Sequence, residues 1–483
     1  YEVVVEHNQP EEKVSFNPVT VKIAPEKSIA VLPFVNMSND PEQQYFSDGM
    51  SEEILNSLSH LKDLKVAGRT SSFQFKTKNI GLREIGEKLG VKNVLEGSIR
   101  KQGNRLRITA QLINVEDGFH LWSEKYDRDM DDIFAIQDEI ALSITEQLKI
   151  TLLDTEKGII TQTRTENKKA YDIYLKGRFY WNRRGPGLKK ALEYFLQAAE
   201  LDPDFSLAHA GIADTYALFA FYSLSPPHEV VPKARQAAEK AIHLNPVRVE
   251  PYSVLAYLTA YYDWNWTESK KQFEKAIAIN PDYAPVHYWY SNYLSFVEQD
   301  YFHSADEAFK AIGLEPLISH SHFTLASTYV CFRKFEEARK TSQTAIELDA
   351  NYFLPYSSLS MALFELGEHA EAIEVINLGV NISGRHQYAL MQLSWLYYRS
   401  DNIPAAQKIL DELIMRSKTE YVSGLSLSVA AYASKNYDLA FEFLEHAFEE
   451  KASLLISIDV YPFFLFIKTD PRFQPFLERM NFP

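Results

Sequence analysis

The sequence predicts two architectures in one chain: an α/β domain at the amino-terminal end and, after it, an all-α superhelix of helical pairs. Three observations carry this. Small residues recur at Ala191, Ala234, Ser269, Ser304, Ala338, Ala372, Ala406 and Ala440, in steps of 43, 35, 35, 34, 34, 34 and 34. A second small series with the same period, Ala256, Ser291, Ala326, Ser360, Ser394 and Ser428, means two elements per repeat. Ahead of the array, short β-branched runs alternate with stretches that carry an apolar face at helical spacing, the order of a compact α/β unit.

Within the array a third, mostly small series stands seven positions after the first, at Ala198, Ala241, Ala276, Ala311, Ala345, Gly379, Leu413 and Ala447. Turns closed by Pro203, Pro246, Pro281 and Pro316 end four repeats, because proline cannot supply the next helical donor. Helix, turn, helix, turn fits this pattern. With Ala191, Phe195, Ala198 and Pro203 on its small, aromatic, small and proline positions, the array resembles the tetratricopeptide repeat. About eight repeats are expected over residues 170–452, followed by a cap at 453–483.

In the amino-terminal part, Ser28 to Val35 reads as a buried strand, and the helix after it, capped by Asp48, presents Met50, Ile54, Leu55, Leu58 and Leu61 on one face. Asp63 to Ala67 is a second strand. Leu82, Ile85 and Leu89 line a second helix that Gly90 stops. Strands follow at Val91 to Arg100, Arg105 to Val115 and Phe119 to Tyr126, the first two joined at Gln102-Gly103-Asn104. A helix from Ile133 to Leu153 completes a domain of residues 27–153. Residues 1–26 read as a linker or tether and 154–169 as a connector.

The segments SIAVLPF from Ser28, YFSDGMSEEIL from Tyr45, VLEGSIRKQGNRLRITAQLI from Val94 and HLWSEKYDRDMDDIFAIQDEI from His120 resemble the TolB amino-terminal-like domain. That resemblance implies fusion to tetratricopeptide repeats in bacterial, often Bacteroidetes-like, membrane regulators. Relatives with this layout often carry a cytoplasmic output domain, such as a winged-helix DNA-binding domain or a class III nucleotide cyclase, followed by one membrane helix. A membrane anchor is therefore expected upstream of Tyr1, with the chain at the periplasmic face of the inner membrane; a cytoplasmic location is the alternative.

The chain carries 65 acidic against 50 basic residues, a net charge of −15. This argues against direct nucleic-acid binding, which needs basic patches to release phosphate counterions. Cys331 is the only cysteine, so neither an intrachain disulfide nor a cysteine zinc site is expected. The stretch Ser453 to Ile467 is apolar but broken by Asp459 and Pro462, and reads as buried packing.

Asp127, Asp129 and Asp131 share the alternation of a calcium loop, but Asp132 and Asp138 stand where glycine and glutamate are required. A charged turn is the better account. Ser47-Asp48-Gly49 reads as a helix cap, without a phosphate-binding glycine pattern. His320 and His322 are two apart, a spacing that points them to different helix faces. No GxSxG elbow or other catalytic spacing is found. The expectation is no catalytic residue, no cofactor and no metal: a non-enzymatic protein.

Positions expected to face the concave groove are Tyr257, Tyr261, Tyr288, Trp289, Asn292, Phe296, Phe323, Trp395, Tyr398 and Arg399. Rigid aromatics and arginine dominate interface energetics, so a protein or peptide partner is expected there. The leading reading is an interaction and sensing region of a bacterial envelope signalling or transcriptional regulator. A scaffold subunit of an envelope complex without signalling output is the alternative, and a hydrolytic site hidden between the domains a third. At the end of the array, Tyr461, Phe463, Phe464, Phe466, Phe473, Phe476 and Leu477 are expected to cover the last repeat.

Overall fold

The computed structural model describes residues 25–76, 80–153, 157–158, 165–183, 185, 187–465 and 467–483. The expected tether, apart from its last two residues, and most of the expected connector lie outside these, as does Phe466.

Six strands form one sheet: β1 Ser28–Val31, β2 Val35–Asn36, β3 Lys65–Val66, β4 Asn93–Gln102, β5 Arg105–Asn114 and β6 His120–Asp129. Their order is β3-β1-β4-β5-β6, with β2 pairing β4 beyond β1; the β1, β2 and β3 pairings are parallel and β4-β5-β6 antiparallel. Helices α1 Gln44–Ser59 and α4 Ile133–Gln147 share a buried cluster with Ile29, Val31, Leu95 and Ile108. On the opposite face Ala30 and Val94 meet Ala67, after β3, and Ile85 and Leu89 of α3 Leu82–Leu89; the short α2 Arg69–Phe73 precedes it. Strand alternation thus sends neighbouring residues to two separate cores.

Three sequence expectations change. The first strand breaks after Val31, because Pro33 donates nothing to the sheet and the Phe34 N–H turns to the Ser51 hydroxyl at 2.8 Å. Asp48 is no cap: it lies inside α1, where its carboxylate pairs with Lys76 Nζ at 2.5 Å, while Asp40 caps the preceding turn by accepting from the Glu42 N–H at 2.9 Å. The last helix ends at Gln147 instead of Leu153, where Lys149 adopts φ 52° and the Ile150 N–H returns to the Thr145 carbonyl. Gly90 does stop α3, at φ 63°.

Among the described residues the array consists of eight pairs. These are α5 Lys168–Asn182 with α6 Gly187–Leu201, α7 Ser206–Phe221 with α8 Pro227–Leu244, α9 Glu250–Leu258 with α10 Trp266–Ile279, and α11 Ala284–Tyr293 with α12 Tyr301–Leu314. Then come α13 Ser319–Cys331 with α14 Phe335–Leu348, α15 Leu354–Glu365 with α16 His369–Ile382, α17 Gln387–Arg399 with α18 Ile403–Arg416, and α19 Gly424–Ala433 with α20 Tyr437–Glu449. The periodic small residues are buried where the two helices of a pair touch. Serine suits this contact because its hydroxyl reaches the facing backbone: Ser269 donates to the Ala256 carbonyl at 3.0 Å, and Ser360 to that of Ala372 at 2.9 Å.

The 35-residue steps have a local cause. The small residues of a pair are 12 apart at Ala326/Ala338, Ser360/Ala372, Ser394/Ala406 and Ser428/Ala440, but 13 apart at Ala256/Ser269 and Ser291/Ser304. In those two pairs the first helix ends in a π turn, Thr259–Asp263 and Leu294–Glu298, which absorbs the extra residue.

The α/β domain docks on the array at two places. Against the first pair, Gly49 of α1 sits so close to Leu175 of α5 that a Cβ there would meet its side chain at 2.6 Å. Beside it Glu52 is buried between two guanidiniums: Arg69 Nε at 2.6 Å and Arg178 Nε at 2.8 Å. Burial alone would raise the Glu52 pKa, but the two cations outweigh it and hold the carboxyl below the usual carboxylate range. Against the turn after α12, the Gly68 N–H donates to the Leu314 carbonyl at 3.3 Å, and the Leu317 N–H to the Ser71 hydroxyl at 3.3 Å.

An aromatic cavity on the concave side

The concave side is not an open groove. After α20 the chain turns inward, and residues 453–464, two short 3₁₀ turns at Ser453–Ser457 and Pro462–Phe464, lie across the first helices of the pairs. The segment is tethered at several points. Ser453 reaches the Tyr388 hydroxyl at 2.8 Å, and Asp459 accepts from Gln299 Nε2 at 3.0 Å and pairs with Lys468 at 2.6 Å. The remaining chain forms α21 Phe473–Met480, which rests on α20 through Phe448 and Phe476 and returns to the third pair, where Trp266 Nε1 donates to the Asn481 carbonyl at 2.7 Å. The expected end cap is therefore also a strap that closes the superhelix on itself. A second closure joins the loop after α7 to the start of α17: His386 Nε2 meets the Tyr222 carbonyl at 2.9 Å, and Gln387 Nε2 the Ser223 carbonyl at 3.3 Å.

Between these closures a cavity of about 710 Å³ remains, space at its mouth included. Six successive first helices supply its wall. Phe221 and Tyr222 come from the end of α7, Tyr261 from the first π turn, Asn292 and Phe296 from α11 and its π turn, Phe323 and Ser327 from α13, Leu354 and Ser357 from α15, and Tyr388 and Met391 from α17. The inward segment supplies Leu454, Ser457, Tyr461 and Phe463. The π turns matter here: each widens the last helical turn that carries Tyr261 or Phe296 to the cavity, and left-handed Trp264 and Gln299 then end it.

Electrostatically the cavity is neutral. Burial pushes the Tyr388 hydroxyl up to about 12 and those of Tyr261 and Tyr461 further still, so all three keep their protons at physiological pH. Asn292 is buried with its amide toward the Tyr261 hydroxyl.

The ten sequence-selected residues divide accordingly. Tyr261, Asn292, Phe296 and Phe323 line the cavity. Tyr257 lies behind that wall, 1% exposed, with its ring centre 4.4 Å from that of Trp289 and its hydroxyl 2.9 Å from that of Tyr262. Half-buried Trp289 also meets Phe221, and Tyr288 sits between it and His320. Trp395 does not face the groove: it is 0% exposed, wedged against Phe364 with the Arg399 guanidinium over its ring. Arg399 is on the surface near Glu365, and half-buried Tyr398 packs on Tyr432. Sequence reasoning does not find the rest of the wall: Phe221, Tyr222, Ser327, Leu354, Ser357, Tyr388, Met391 and the inward segment.

Two other motifs find structural employment. Asp127 bridges Arg105 and Arg107 across the β5-β6 ladder at 2.8 and 2.7 Å. His320 Nδ1 meets the Tyr352 hydroxyl at 2.6 Å, and His322 Nε2 the Pro316 carbonyl at 2.8 Å. No helix among the described residues is long and apolar enough to cross a membrane.

Residues 25–143 match the family model described as the second domain of HilA/YgeH-like transcriptional regulators. A stretch of 189 residues, 38% of the chain, is 41% identical to "Putative adenylate cyclase 3" of Rhizobium meliloti (strain 1021) and covers 32% of it. Another of 201 residues, 39% of the chain, is 25% identical to the human protein O-mannosyl-transferase TMTC3 and covers 22% of it. The chain thus spans a third or less of the curated relatives it matches. Among solved structures, human IFIT1 in complex with PPP-AAAA is 13% identical over 83% of this chain and 94% of its own, TM-score 0.43. YrrB, a TPR protein described as having an unusual peptide-binding site, is 19% identical over 44% of this chain and 99% of its own, TM-score 0.28.

Proposed function

We propose that this chain is the non-enzymatic sensing and interaction region of a larger bacterial regulator, and that it reads its signal in the concave cavity. One observation carries the reading: six successive first helices and the chain's own inward segment converge on one aromatic cavity. The match of residues 25–143 to a regulator domain, and the likeness to part of a cyclase-named protein, support a place in signalling. The TolB-like reading of the first domain and a periplasmic site of action belong to the same proposal.

The route of the signal follows from the docking. The α/β domain holds the array at the first pair and again at the turn after the fourth, and helices lining the cavity lie between and beyond these points. A ligand that changes the spacing of the lining helices changes the span between the two docking points. An extended polypeptide partner reaches the concave face only by displacing residues 453–464, which makes that segment the gate for any protein ligand.

The experiment is hydrogen exchange along α1 and α2 with the cavity empty and filled by the small apolar probe 1-naphthol. The proposal expects slowed or quickened exchange at Glu52, Arg69 and Ser71. Unchanged exchange there, with the probe bound, contradicts sensing and favours the scaffold alternative.

A further inference from the structure

We infer that the cavity takes a small, uncharged, largely apolar ring compound bearing one or two neutral hydrogen-bonding groups. This rests on the sensing reading and names its ligand class. Two features argue it: the lining and the enclosure.

None of the fifteen lining residues carries a charged side chain, and eight of them are aromatic. A charged ligand would lose its hydration here without a counter-ion in the wall, which is costly, whereas ring faces such as Phe323 and Phe296 favour flat apolar bodies. The neutral polar groups are the Asn292 amide, the hydroxyls of Ser327, Ser357 and Ser457, and those of Tyr222, Tyr261 and Tyr461, while the Tyr388 hydroxyl is already taken up by Phe221, Ser223 and Ser453. This is the composition of a small-molecule site, an apolar wall with a handful of polar groups that orient the guest.

The enclosure selects a small molecule over a peptide. The track along the first helices is already occupied by residues 453–464, held through Ser453 and Asp459. What remains is a bounded space, and a peptide backbone would bring amide donors and acceptors to a wall with few partners for them.

The test is isothermal titration of the full chain with 1-naphthol and with 1-naphthoate, which has a similar ring and a negative charge. Binding of 1-naphthol with Kd below about 1 mM, and of 1-naphthoate weaker by roughly tenfold or more, is expected. Ser357→Phe, which places a ring in the cavity, should weaken 1-naphthol by a similar factor. Independently of any variant, the crystal structure of the wild-type chain soaked with 1-naphthol should place it beside Phe323 and Tyr388. Equal affinity for the two probes, no binding of 1-naphthol, or density elsewhere overturns the inference. Preferred 1-naphthol binding without any change of exchange in α1 and α2 upholds the ligand class while the sensing reading falls.

Discussion

The hydroxyls of Tyr388 and Ser453 lie 2.8 Å apart, and through them the seventh pair holds the segment that closes the cavity. The same phenol donates to the Phe221 carbonyl at 3.2 Å and accepts from the Ser223 hydroxyl, so one oxygen joins the second pair, the seventh pair and the inward segment. Tyr388→Phe keeps the ring and removes all three bonds. It should cost about 1 to 3 kcal/mol, because buried partners lose their hydrogen bonds. The urea midpoint reads this directly; an unchanged midpoint would mean that the closure contributes nothing to the fold.

Trp395 and Phe323 separate core from cavity. Trp395→Ala empties a fully buried site and should cost about 3 to 5 kcal/mol of unfolding free energy. Phe323→Ala, at a half-buried wall position, should cost less than about 2 kcal/mol and change probe affinity instead. Denaturant melts of both variants, with titration of the second, decide the matter. A reversed ranking would contradict the placement of Trp395.

His386 makes the loop-to-helix closure sensitive to acid. Its Nδ1 accepts from the Tyr388 N–H at 3.2 Å and its Nε2 donates to the Tyr222 carbonyl at 2.9 Å, an arrangement only the neutral ring satisfies. Burial, with a smaller push from Arg416, lowers its pKa from 6.5 to about 4. The folded value is the lower one, so the unfolded chain takes up the proton first as pH falls. Stability present above pH 6.5 is lost progressively down to about 4 and levels off below. In His386→Asn the urea midpoint should fall less between pH 7 and 4.5 than in the wild type; parallel curves would remove His386 from this role.

Glu52 is the electrostatic pin between the domains. Glu52→Ala leaves Arg69 and Arg178 buried without their common partner and should cost about 3 to 5 kcal/mol. Arg178→Met leaves Glu52 with Arg69 and should cost less. Equal melting of Glu52→Ala and wild type would show that the interface is held by its other contacts, such as the packing of Gly49 on Leu175, without help from the ion pairs.

Much of the architecture was legible because it repeats. Small residues at Ala338, Ala372, Ala406 and Ala440 announce close helix contacts at a fixed period, and alternation from Arg105 to Val115 announces a strand. Even the π turns were written in the spacing, 13 instead of 12 between Ser291 and Ser304, although only the structure shows which turn absorbs the residue. The cavity was half legible. First-helix periodicity finds Tyr261, Asn292, Phe296 and Phe323, but carries Trp395 to the same list, since the period says nothing of how tightly the superhelix closes. The inward path of Ser453 to Phe464 had one signal, an apolar run broken by Asp459 and Pro462. That run fits an end cap equally well, because direction after the last helix is set by long-range contacts such as Ser453 with Tyr388.

Residues 453–464 lie inside the superhelix and close the aromatic cavity. Hydrogen exchange of the intact, ligand-free chain tests it most directly. Amides of Leu455, Ile458 and Tyr461, bonded to the Ala452, Leu455 and Ser457 carbonyls, should exchange as slowly as those in the middle of α13 and α15. Exchange at the rate of an exposed tail would contradict the closed cavity and every functional reading built on it.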